Sequence, residues 1–177
     1  MRKPDDVRPL SSGPRHPATP TIRPARIEDA LDLRDHLFAH LPILDVVSSV
    51  QTSLERAAKG EELLLVAVLA GRVVGQVVVT FHLQPSDCAH RASLDRLVVG
   101  HGWQRRGLGR ALVEGAAAAA VRRQVRLLTV AVRGGTVAEP FFRAVGFNEY
   151  GRLRGGLADP FGGQFYDEVL MVRNLVV

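Results

Sequence analysis

The sequence predicts an α/β (α+β) fold with about seven strands and about four helices. They form one domain over residues 21–177, behind a flexible, proline-rich tail at residues 1–20. Three observations lead there. Along the chain the hydrophobic period switches repeatedly between the helical and the strand value, so the two kinds of element interleave. Val125–Val132 is apolar on both faces apart from Arg126 and Thr129, as a buried interior strand is. Leu94–Gly109 runs from an apolar strand through a short basic, glycine-bearing loop straight into an Ala-rich helix.

Each element has its own local reason. Residues 1–20 hold five prolines and no hydrophobic period, too little apolar surface to order themselves. Thr21–Ala25 reads as a short strand that ends at Pro24. Ile27, Ala30, Leu33, Leu37 and Leu41 recur at helical spacing up to Pro42, and a second helix spans Val46–Lys59, closed by Gly60. Leu63–Leu69 and Val73–Leu83 are β-rich runs flanking Ala70-Gly71-Arg72, a hairpin signature. Pro85–His90 reads as a loop and Ser93–Val99 as the next strand. A helix over Leu108–Arg123 follows, rich in small side chains that permit close packing on a sheet, and then the interior strand. Gly134-Gly135 precedes a short helix through Ala144, with Gly146 as its cap. Phe147–Leu153 and Phe165–Arg173 close the chain as strands around a glycine-rich loop at Asp159–Gly163.

The junction at Gln104–Gly109 builds an anion cradle. A helix N-terminus leaves several N–H groups unpaired and carries roughly half a positive charge. Gly107 and Gly109 remove side chains where a pyrophosphate must approach the backbone, and Arg105, Arg106 and Arg110 add cationic charge. A mononucleotide P-loop requires Lys-Ser or Lys-Thr after its second glycine, and Arg110-Ala111 stands there instead. A dinucleotide fingerprint requires a third glycine at the position of Leu112.

What remains, Gln104-x-x-Gly107-x-Gly109, resembles the pyrophosphate loop of the GNAT N-acetyltransferase superfamily. The element order β-α-α-β-β-β-α-β-α-β-β extends that resemblance over about residues 21–175. Thr21–Ala30 resembles the family's opening strand and helix, Ala138–Phe147 its late helix, and Phe165–Met171 its closing strand. The resemblance implies a mixed central sheet splayed at a CoA site, acetyl-CoA as cosubstrate and no metal. It places the pantetheine arm along Leu97, Val98 and Val99, opposite Val130–Val132, with the Val99 amide as donor to the thioester oxygen. It gives the pyrophosphate to Gln104, Arg105, Arg106, Gly107, Leu108, Gly109 and Arg110, with Phe142 and Arg143 adding packing and a phosphate contact.

Catalysis then requires a neutral amine held against the thioester and a route for its proton. By position, Asp95 is the first choice of general base. A half-buried carboxylate among apolar neighbours tends to a raised pKa. The alternative is an Asp paired with Arg91 or Arg96, or simply solvated. The sequence departs from the family at Phe142, where many relatives place the tyrosine that protonates the leaving thiolate, and at Gly135, where Asn is frequent. Tyr166 on the closing strand is a candidate replacement acid, against an ordinary strand tyrosine, a water, or a thiolate that leaves unprotonated.

The resemblance thus implies acetyl transfer from acetyl-CoA to a primary amine of a small molecule. A protein N-terminus or lysine is the alternative acceptor, and a non-catalytic acyl-CoA sensor is the rival from another class. The acceptor pocket is expected between the first two helices and the loop before the last strand, over about Leu37–Ser53 and Leu153–Gln164. A homodimer is compatible with the fold. The net charge of +5 comes from 21 Arg and 2 Lys scattered along the chain, not from a basic stripe interleaved with aromatics, so a nucleic-acid partner is not expected. No apolar run is long enough to span a membrane, and the N-terminus has no apolar secretory core. One cysteine, Cys88, fits a reducing compartment, and the cytoplasm is the expected location. His36 and His40 have i, i+4 spacing on the first helix but no third ligand, so they read as solvated histidines.

Overall fold

The computed structural model describes residues 19–176 apart from 84, 160 and 161. Nearly all of the expected tail, and part of the glycine-rich loop at 159–163, lie outside the described residues. In chain order the strands are β1 (Thr21–Pro24), β2 (Glu62–Leu69), β3 (Arg72–Phe81), β4 (Arg91–Val99), β5 (Leu127–Arg133), β6 (Asn148–Ala158) and β7 (Phe165–Asn174). The helices are α1 (Ala30–His36), α2 (Ile43–Ala58), α3 (Leu108–Val121) and α4 (Ala138–Ala144), with 3-10 turns at Ile27–Asp29 and His101–Trp103. All seven strands form one sheet in the order β1-β2-β3-β4-β5-β7-β6. Only the β4–β5 pair is parallel, so the sheet is mixed as expected.

Two apolar layers sandwich this sheet. Leu33 of α1 and Val46 and Val50 of α2 pack on Leu64, Val66 and Val78 on one face. On the other, Leu112, Val113 and Ala116 of α3 pack with Phe142 and Phe147 on Val77, Val79 and Leu128. The Ala-rich run explains how closely α3 lies on the strands: Ala116, Ala117, Ala119 and Ala120 are all buried. A Cβ at Gly115 would come within 2.7 Å of Ile22 Cγ2, so even a methyl would push α3 off β1.

Several boundaries differ from the periodicity, and the larger shifts have visible causes. The first helix stops at His36 rather than continuing to Leu41. His36 Nδ1–H donates to the Val73 carbonyl at 3.0 Å, and its own carbonyl lies where a Cβ on Gly100 would be. His36 is therefore not a solvated histidine: its ring is 19% exposed and meets Trp103 edge-on, whereas His40 is exposed. The second helix starts at Ile43 because Pro42, at φ −59°, caps it. The late helix starts at Ala138, after a turn in which Gly135 takes φ +72°. The sixth strand runs on to Ala158, with an irregularity between Leu153 and Leu157 that Gly155 accommodates at φ +62°.

The start of α1 is fixed by charge. Arg23 grips Asp29 through two hydrogen bonds of 2.7 Å, and Asp29 Oδ2 accepts the Arg26 N–H at 2.8 Å. Burial alone would raise the Asp29 carboxyl, but the Arg23 and Arg26 hydrogen bonds outweigh it and hold the group below its usual range.

Candidate active site

Strands β4 and β5 pair only where Arg91, Ala92 and Ser93 face Leu127, Leu128 and Thr129. Beyond Ser93 the two strands part, leaving Leu97–Val99 and Val130–Val132 without partners in each other. The splay expected from the resemblance is there. Its cause lies in a bulge between β3 and β4: Asp95 pairs with Val78 and Val98 with Gln76, so two β4 residues oppose Val77. Arg96 takes φ +50° to make it, a left-handed conformation that costs a non-glycine residue about 1–2 kcal/mol.

The bulge also re-sorts side chains. Strict alternation would put Asp95, Leu97 and Val99 on one face. Instead Leu97 and Val99 pack with the α3 layer. Asp95 and Arg96 both turn to the α2 face, where Asp95 bonds Thr80 at 3.1 Å and Arg96 bonds Glu62 at 2.9 Å.

At the open end of the splay stands the N-terminus of α3. Gly107 caps it at φ +80°, and no side chain satisfies its free N–H groups. Within 4 Å of a Cβ built at Gly107 there is nothing, so the backbone conformation, not crowding, requires glycine there. Gly109 has a different reason: its Cβ would lie 3.2 Å from the Phe141 ring, so the missing side chain admits α4. Arg105, itself at φ +61°, and Arg106 are exposed beside the loop, and Arg106 stacks over Trp103 at 5.2 Å. Arg110 donates to the Ala144 carbonyl at 3.0 Å, tying α3 to the end of α4. Gln104 bridges back to the Val99 carbonyl at 3.2 Å. Leu108 is 1% exposed and packs in the core, so its side chain makes no part of the cradle. Unpaired helix N–H groups, three arginines and an open splay together fit a pyrophosphate with an extended arm.

On the α2 face two adjoining hollows open beside the bulge. One, of about 220 Å³, has walls of Leu33, Phe38, Val46 and Leu64, with Gln76 in its lining and Asp45 and Arg96 among its polar residues. The other, of about 420 Å³, is polar and shares Asp45, Ser49, Ser53 and Arg96, adding Arg56 and Glu62. Glu62 is 1% exposed and fully engaged: Ser53 donates at 2.7 Å, Arg96 at 2.9 Å, and Arg56 lies at 3.0 Å. Gln76 is 5% exposed, and no described residue bonds its amide. Asp45 is exposed near the start of α2, without an ion-pair partner among the described residues.

Both hollows lie at the first two helices, where the acceptor pocket is expected, while no residue of 153–164 lines either one. Asp95 lies on the same face but outside both linings, and it is exposed rather than half-buried. Its partners are the Thr80 and Ser93 hydroxyls, not Arg91 or Arg96. Tyr166 donates to Gln164 at 3.1 Å, with Arg133 over its ring. Phe142 is 4% exposed between the rings of Phe141 and Phe147. Arg143 is taken by Glu139 and Glu149 at 2.9 and 2.6 Å. Glu139 also accepts the Gly135 N–H and pairs with Arg152, and its carboxyl falls to about 2. Sequence reasoning missed Gln76, Arg56 and Glu62, which come together with Ser53 only through sheet register and the packing of α2.

Comparison with known proteins agrees with this geometry. No curated protein matches the chain by sequence. Solved structures of the same fold include a ribosomal-protein-alanine N-acetyltransferase from Brucella melitensis, 24% identical, at TM-score 0.72 over 88% of this chain and 99% of that one. A phosphinothricin acetyltransferase from Sinorhizobium meliloti in complex with AcCoA is 16% identical, at TM-score 0.72 over 89% of each chain. An N-acetyltransferase from Staphylococcus aureus is 14% identical, at TM-score 0.72 over 90% of this chain and all of that one. A family model for the acetyltransferase (GNAT) domain matches residues 41–154, a span that holds the bulge, the cradle, most of the splay and the α2 face, and on this match the chain belongs to the GNAT acetyltransferase family.

Proposed function

We propose that this protein transfers an acetyl group from acetyl-CoA to a primary amine of a small molecule by direct attack. The observation that carries the reading is the parting of β4 and β5 in front of an uncapped, arginine-flanked helix N-terminus. Acetyl-CoA supplies an acyl group already activated as a thioester, so no protein nucleophile is needed. The N–H groups at Gly107–Gly109, with Arg105 and Arg106, hold the pyrophosphate. The edge of Leu97–Val99 that β5 leaves open receives the arm, and the Val99 amide faces the carbonyl oxygen. The amine nitrogen forms the new bond to carbon as the carbon–sulfur bond breaks. The electron pair stays on sulfur, and one proton leaves the nitrogen.

Asp95 is the proposed base, working through solvent from the acceptor face, since its carboxylate is exposed and held by two hydroxyls. Tyr166 is the proposed acid. One observation favours a second reading, an acyl-CoA sensor without turnover: Phe142 is core and has no proton to give. Thiol release from acetyl-CoA over a panel of amines separates the two. Turnover of any amine supports transfer, and tight CoA binding with silence across the panel supports the sensor. A cytoplasmic setting belongs to the same proposal, resting on the single free cysteine and the absence of a helix long and apolar enough to cross a membrane among the described residues.

A further inference from the structure

The hollow under α2 combines an apolar chamber with hydrogen-bond donors that the protein itself leaves unused. Its volume of about 220 Å³ lies below the roughly 300–1,000 Å³ of sites for drug-sized ligands, so it suits one small apolar group. Gln76 is 95% buried, on the α2 face of β3, and its amide has no partner among the described residues. No buried side-chain polar atom among the described residues lacks a partner, so the unbonded Gln76 amide is open to the hollow, where a polar ligand group can take its hydrogen bonds. Arg96 stands one strand away, swung to the same face by the bulge. It spends one nitrogen on Glu62, and the rest of its guanidinium has no acceptor among the described residues.

The local charge ledger sharpens this. Arg56 lies against both Glu61, at 3.5 Å, and Glu62, at 3.0 Å, so its charge is claimed twice. Arg96 shares Glu62 alone, with its side chain 47% exposed toward the opening. Asp45 in the same lining has no ion-pair partner among the described residues. A guanidinium edge and a carboxylate, both without further partners among the described residues and both in the lining of the chamber, form the charge pattern that complements a zwitterion. The planar fork of arginine, joined by an amide N–H, is the donor set that matches a carboxylate.

We propose that the acceptor is a free α-amino acid with an apolar side chain, its carboxylate held by Arg96 and Gln76 and its side chain in the chamber. This rests on the acetyl-transfer reading and narrows it. A peptide N-terminus or a simple alkylamine brings no carboxylate to Arg96.

The test pairs ligands that differ only in that group. Titration calorimetry on the CoA-saturated protein compares N-acetylleucine with N-acetylleucinamide, and turnover compares leucine with leucinamide. The carboxylate form is expected to bind at least tenfold tighter and to turn over with at least tenfold higher kcat/KM. Arg96→Gln, and separately Gln76→Leu, should shrink the binding preference below threefold. Equal or tighter binding of the amide, no measurable binding of either ligand, or an undiminished preference in both variants overturns the proposal. So does turnover of leucinamide at or above the rate of leucine. A carboxylate preference in binding with no turnover of any amine keeps the pocket assignment and defeats acetyl transfer instead.

Discussion

Replacing Gly107 by alanine separates the backbone's role in the cradle from ordinary strain. Gly107 sits at φ +80° with nothing within 4 Å of a built Cβ, so the substitution meets no clash. The cost is conformational: a left-handed non-glycine residue is disfavoured by about 1–2 kcal/mol. Alanine also narrows the unfolded ensemble, which returns about 0.4–1 kcal/mol. A net loss near 1 kcal/mol lowers Tm by about 2–4 °C in a domain of this size. Gly71 is the internal control, since it sits at φ +77°, also with nothing within 4 Å, in the turn between β2 and β3. Gly71→Ala should lose the same stability. Only Gly107→Ala, by relaxing toward helical φ, swings the first N–H groups of α3 away from the cradle. It should weaken CoA binding by about tenfold, or about 1.4 kcal/mol, in titration calorimetry. Equal CoA affinity in the two variants, alongside matched Tm losses, would refute the assignment of the pyrophosphate to this helix end.

Other expectations follow from single contacts. Asp29→Asn removes two charge-assisted bonds to Arg23 and should cost about 1.5 kcal/mol at neutral pH, the low end for such bonds because Arg23 is 27% exposed. Because the folded Asp29 titrates below its unfolded value, its contribution is present above the usual aspartate range and fades as pH falls through the folded pKa. The Tm gap between wild type and Asp29→Asn should therefore be wider at pH 7 than at pH 3, and a gap that grows in acid contradicts the pairing. Phe142→Tyr buries a hydroxyl between two phenyl rings and should lose about 1–3 kcal/mol without raising the rate of thiol release. A stable variant with faster release would show that the tyrosine position still faces the sulfur. Asp95→Asn should lower kcat with KM for the amine little changed, and an unchanged kcat takes Asp95 out of the mechanism.

Much of the fold was legible because it is written in local pattern. The apolar run at Val125–Val132 became β5, inside the sheet, although Leu128, Val130 and Val132 are buried while Ala131 is exposed, and Ala70-Gly71 became a tight turn with both residues at positive φ. Helix ends were less legible, because tertiary contacts override periodicity there. The apolar spacing from Ile27 continues to Leu41, yet the helix stops at His36, where the ring is tied to β3 and the backbone lies on Gly100. Gly109 shows a related limit. Its absence of a side chain reads equally as room for a ligand or room for Phe141, and only packing shows that the ring occupies it.

The acceptor side was hidden for a deeper reason. Its chemistry depends on one residue's departure from strand geometry, and nothing in Ser-Leu-Asp-Arg-Leu-Val-Val announces that Arg96 will take φ +50°. A strict two-residue period puts Asp95 beside Leu97 and Val99 and turns Arg96 to the opposite face. With the bulge, Asp95 and Arg96 share a face, and Leu97 and Val99 join the α3 core. The buried carboxylate of Glu62 sits where Arg96 then arrives, with Ser53 and Arg56 of α2 completing its shell. Glu62 pairs in register with Thr80, and Thr80 in turn bonds Asp95. The strain at Arg96 is thus met by an ion pair to a buried carboxylate that Ser53 and Arg56 also hold. The same bulge exposes the backbone that the splay offers to an acyl chain. One backbone irregularity therefore sets both sides of the proposed reaction, the arm along Leu97–Val99 and the donors toward the amine.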